Sequence, residues 1–86
     1  TDSHARAKLQ ELCARLGVPA PGRMIYQPIG KPNEKKFFVE QPVIGLPYVA
    51  RGMGETPGDC LNRAASHYAA ILNTVFDKQS SRRTRG

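Results

Sequence analysis

No stretch of this sequence approaches the ~18 consecutive apolar residues that a membrane-spanning helix requires, so a membrane role is not expected. The chain opens T-D-S-H, with neither an initiator Met nor the apolar core of a signal peptide, and reads as a piece excised from a larger protein. Cysteine is scarce. Cys13 and Cys60 are the only two, far apart and each within an apolar helical stripe. Their spacing fits no zinc pattern, and they read as buried thiols in a reducing compartment rather than as a disulfide. An intracellular location follows as the expectation, with cytoplasm, nucleus and mitochondrion not separated. Acidic residues are also few, seven Asp/Glu against 13 Lys/Arg, for a net charge of +6. That excess is unevenly spread. Nine basic and six acidic side chains over residues 1–76 leave +3, and the tail D-K-Q-S-S-R-R-T-R-G (77–86) supplies the other +3. Half of the basic excess therefore sits on a segment expected to remain disordered, which weakens any direct inference from charge to nucleic acid.

What is present suffices for one domain. The apolar content of 40% over 86 residues allows a single modest core. Residues 3–16 place Ala5, Leu9, Leu12, Cys13 and Leu16 at helical spacing, with Ser3 or Asp2 as cap and Gly17, Pro19 and Pro21 as terminators. The period then changes. Arg23–Gln27 reads as a short strand, residues 29–34 as a loop, Lys36–Gln41 as a second strand and residues 48–51 as a third. Pro42, Gly45 and Pro47 mark an irregular turn between the last two. A second helix starts on Thr56 as N-cap, with Pro57 at its first position and Asp59 completing an acidic capping box. Its apolar stripe runs from Cys60 to Phe76, and its end is expected near Asp77. The order α-β-β-β-α predicts an α+β domain over 1–76, with a three-stranded antiparallel sheet and two helices on one face. The basic tail 77–86 lies outside it.

Enzyme motifs fail one by one. R-G-M-G-E-T-P-G-D (51–59) has the look of a phosphate-binding turn before a helix, but a P-loop needs G-K-[S/T] where Pro57, Gly58 and Asp59 stand. A dinucleotide fingerprint needs a glycine where Pro57 stands. His4 falls near the N-terminus and His67 on the outer face of helix 2, and neither has a nucleophile and carboxylate arranged beside it. The acidic residues come from separate elements, and no cluster of metal ligands exists. The fragment is expected to be no enzyme and to use no cofactor or metal.

K-L-Q-E-L (8–12) on helix 1, a strand pair around a loop opened by Gly30, and G-x-G-x-T (52–56) before an Ala-Ala helix together resemble the double-stranded RNA-binding domain. The similarity covers about residues 4–76. I-G-K-P-N-E-K-K-F (29–37) and G-M-G-E-T (52–56) look most like the first such domain of RNA helicase A and its maleless relatives. The resemblance implies an RNA-binding module of a larger RNA-processing protein, with a DEAH-type helicase as the expected host.

Three contact regions are implied with it. The outer face of helix 1, reading a minor groove, falls on Gln10 and Glu11, with Lys8 and Arg15 as neighbours. A carboxylate there suits 2′-hydroxyls or a guanine amino group rather than phosphate. The loop between the first two strands, G-P-x-H in many members, reads Gly30-Lys31-Pro32-Asn33 here, and Asn33 still offers a donor and an acceptor. Lys31, Lys35 and Lys36 give it positive charge. The third region departs from the pattern. Where strong binders carry K-K-x-A-K, this chain has Pro57-Gly58-Asp59-Cys60-Leu61, so the phosphate clamp is largely missing and Arg51 and Arg63 are the nearest cations. Losing about three phosphate contacts predicts binding roughly 10- to 100-fold weaker than that of a lysine-bearing member. The competing reading keeps the fold without RNA: a protein-interaction domain, for which Phe38 turned outward from the sheet offers a contact.

Overall fold

The computed structural model describes the backbone of residues 2–85 and the side chains of residues 4–76. Its order is α1 (Asp2–Leu16), β1 (Gln27–Ile29), β2 (Lys36–Pro42), β3 (Val49–Gly54) and α2 (Pro57–Arg85). The strands form one antiparallel sheet in the order β1-β2-β3, as expected of an α+β domain of this pattern.

Both helix boundaries that face the loops follow from local chemistry. Gly17, at φ +71°, ends α1. Its N–H donates to the Ala14 carbonyl (3.3 Å) and the Val18 N–H to the Cys13 carbonyl (3.0 Å), the paired bonds of a Schellman motif. At the start of α2, the Thr56 hydroxyl accepts from the Asp59 N–H at 3.1 Å, as an N-cap should. The far end of α2 differs from the expectation: the helix continues past Asp77 to Arg85. Pro and Gly are absent from 59–85, so nothing in the backbone chemistry stops it. The side chains of residues 77–86 lie outside the described residues.

Two strands are corrected. Residues 23–26 do not pair, and β1 begins at Gln27, with Gln27, Pro28 and Ile29 opposite Phe38, Phe37 and Lys36. The segment ahead of it leaves the sheet to bury Met24 in the core, while Tyr26 packs edge-on against Phe37 with ring centroids 5.6 Å apart. At the other edge, β3 runs on through Gly52 and Gly54, which pair with Val39 and Phe37. These glycines look like a turn in sequence. In the fold they are strand residues whose missing side chains admit α2. A Cβ at Gly52 would overlap the carbonyl oxygen of Cys60 and the backbone nitrogen of Ala64, and one at Gly54 would lie 2.8 Å from the Asp59 Cβ.

The core sits between sheet and helices. α2 rests on β2 and β3, and α1 packs on α2. Leu9, Leu12 and Cys13 meet Cys60, Ala64, Ala65, Tyr68 and Leu72 over Val39 and Ala50, all buried, with Leu16 and Leu61 at the margin. The Tyr68 ring is buried, but its hydroxyl accepts the Ile44 N–H at 3.1 Å, which satisfies the phenol and ties down the turn between β2 and β3.

Candidate nucleic-acid interface

Strand register decides which parts of the surface are neighbours. Because Phe37, the second residue of β2, pairs with Gly54, the last of β3, the β1–β2 loop and the start of α2 share one end of the sheet. The loop is a built turn. Gly30 takes φ +87°, the Glu34 N–H donates to the Lys31 carbonyl at 2.8 Å, and the Lys36 N–H to the Glu34 carbonyl at 3.2 Å. Pro32 stands at the second position of this turn and Asn33 at the third with negative φ, the pattern of a type I turn. Asn33 is thus presented at the tip, with Lys31, Lys35 and Lys36 around it and all four exposed.

The predicted residues of α1 are exposed but divided. Lys8, Glu11 and Arg15 line a groove of about 360 Å³ against Ala69 and Asn73 of α2. Gln10 lies on the other flank, in a separate groove of about 410 Å³ with Arg6, Arg23 and Tyr26 on its rim and Leu61 of α2 among its walls. The split follows from helical geometry: with Leu9, Leu12 and Cys13 turned to the core, residues 6 and 10 fall to one side and 8 and 15 to the other. Arg6 and Arg23 were not among the sequence candidates. Arg6 stands one turn before Gln10, so its spacing signals it; nothing local signals Arg23, whose place depends on the unpaired segment before β1.

Arg51 and Arg63, the cations nearest to the positions of the absent lysines, are engaged elsewhere. Gly52 faces α2, so Arg51 points to the opposite sheet face, where its Nε donates to Glu40 Oε2 at 2.9 Å. Arg63 donates through a guanidinium nitrogen to the Met53 carbonyl at 2.9 Å. His67 has a role that the sequence did not show: its Nδ1 accepts the Arg51 N–H at 3.0 Å. Together Arg63 and His67 occupy backbone groups along β3, an edge strand that would otherwise offer them to another chain.

Both thiols are free and buried, and burial pushes both above the ordinary value of 9.0, which disfavours the nucleophilic thiolate. The Cys60 Sγ lies 3.5 Å from the Gly52 carbonyl as a weak donor. Among the described residues no group of three or more His, Cys, Asp and Glu could hold a metal ion. No described helix is long and apolar enough to cross a membrane. Neither a protein-family model nor a curated protein sequence matches the chain.

Proposed function

We propose that the chain is an RNA-binding module that contacts double-stranded or structured RNA by shape and 2′-hydroxyls, within a larger RNA-processing protein such as a DEAH-type helicase. The observation that carries this reading is the β1–β2 loop: a pre-formed turn that holds Asn33 forward among Lys31, Lys35 and Lys36, at the sheet end where α2 begins. A pre-formed turn costs little ordering on binding, and its cations suit the phosphates that flank a minor groove. Gln10, with Arg6 and Arg23 beside it, adds a polar and cationic flank on α1. The start of α2 contributes little, because Asp59 stands in its first turn. The module binds rather than catalyses, with no cofactor, and an RNA-processing host sets it inside the cell, in keeping with two free thiols.

Titration of blunt RNA duplex, DNA duplex and single-stranded RNA tests the reading. The expected order is RNA duplex tightest, and changing Lys31, Lys35 and Lys36 together to Ala weakens that binding several-fold. Indifference to the triple change removes the loop from the interface. A second reading, a protein-interaction domain, draws support from the sheet face turned away from the helices, where Phe38 pairs with the half-exposed Met53. Absence of measurable binding to every nucleic acid in the panel favours it.

A further inference from the structure

The groove between α1 and the segment leading into β1 adds to its polar flank an accessible aromatic ring and an apolar floor, which duplex recognition by shape and 2′-hydroxyls does not use. Its rim carries two guanidinium groups, Arg6 and Arg23, one carboxamide, Gln10, and one phenol ring, Tyr26. Its floor is apolar, with Leu9 and Met24 both buried. Among the described residues no carboxylate lines it. At about 410 Å³ the groove lies within the range that holds small planar ligands. The geometry points to a pocket for one unpaired nucleotide, a bulged or terminal base of the RNA whose paired stem lies on the loop surface. This site extends the RNA reading above and names a feature of the target.

Each rim group matches one part of such a nucleotide. A guanidinium fork meets phosphate oxygens in pairs, which suits Arg6 and Arg23 to the nucleotide's own phosphate. The planar Gln10 amide offers a donor and an acceptor together, the complement of a base edge. Tyr26 is exposed at 42%, so its ring is accessible, and its edge-on contact with Phe37 holds it in one orientation. Bases stack on such rings with little regard to sequence. A base inside a duplex is already stacked on its neighbours and has nothing to gain from Tyr26. An unpaired base does. A carboxylate-bearing peptide would satisfy the arginines but leave the ring and the apolar floor unused.

The test compares two RNA hairpins that differ by one unpaired adenosine in an otherwise continuous stem, titrated with the full chain. Stacking on an aromatic side chain predicts at least about fivefold tighter binding of the bulged stem. The ratio of bulged to blunt affinity collapses to about one in Tyr26→Leu and in Arg23→Ala, the two groups that hold base and phosphate. Gln10→Ala, on an exposed helix position, lowers the ratio without touching core packing. Equal affinity for the two stems in the wild-type chain overturns the pocket alone and leaves the duplex reading standing. A ratio that survives in all three variants puts the base elsewhere and also overturns it. Binding to neither stem removes the pocket and the RNA reading together.

Discussion

A methyl group at position 52 has nowhere to go. The atoms it would overlap belong to the backbone of α2, not to a side chain that can swing away, so Gly52→Ala forces the helix off the sheet. A cost of about 3 kcal/mol or more is expected, at the severe end for single substitutions. Gly22 is the control, because a Cβ there meets nothing within 4 Å and its φ is not positive. Gly22→Ala should be neutral or stabilise by up to about 1 kcal/mol through the unfolded chain. Urea unfolding of the two variants separates close packing from turn flexibility as the reason for glycine in G-M-G. The cysteines allow a second prediction at this scale. Their pKa values are raised in the fold, so the folded state binds protons that the unfolded chain gives up first. The stabilising contribution is complete below the ordinary thiol value of 9.0 and is lost as pH climbs past it towards the raised folded values. Denaturant midpoints should therefore fall on the alkaline side, less steeply in the Cys13→Ala/Cys60→Ala double variant. Alkylation of the native protein should be slow and become fast on denaturation.

Among the elements, α1 is anchored to the fold by its buried Leu9, Leu12 and Cys13. Leu12 is 6% exposed and faces α2, and Leu12→Ala should cost ~2–5 kcal/mol, read from the shift in denaturation midpoint. Near-zero cost would mean that α1 does not pack as described. The edge of β3 makes a more local prediction. The Arg51 amide is bonded to His67, not to another strand. His67→Leu leaves that amide without a partner and should speed its hydrogen exchange, while amides of Ala64 and Ala65 in the same helix keep their protection. Unchanged exchange at Arg51 would mean that the imidazole does not cover the edge.

At the scale of the whole molecule, the end that carries the β1–β2 loop also carries the start of α2, and the two differ in charge. Three lysines surround the loop, whereas the helix start has Pro57, Gly58 and Asp59. Restoring two cations there, Pro57→Lys/Gly58→Lys, should tighten duplex-RNA binding and steepen its salt dependence by about two times 0.7–0.9 on a logarithmic scale. Affinity should rise without new sequence preference, since phosphate contacts carry none. The helix itself loses ~0.3–1 kcal/mol per added cation through the dipole, which a folded domain tolerates. Asp59→Asn should move binding in the same direction by a smaller amount. If neither variant alters the salt slope, this helix end does not meet RNA.

Local chemistry, acting through neighbours in sequence, already determined the two helices, the Gly17 and Thr56 boundaries, the number of strands and the inward Leu9, Leu12, Val39 and Tyr68. Those features depend on period, caps and turns, which a chain of residues carries within itself. The shift of β1 to Gln27, the strand character of Gly52 and Gly54, the engagement of Arg51 and Arg63, and the meeting of Gln10 with Arg23 were decided only in three dimensions. Each of these requires a partner many residues away. Whether a residue pairs, packs or binds then depends on what the rest of the fold brings against it, and a local pattern has no way to encode that choice.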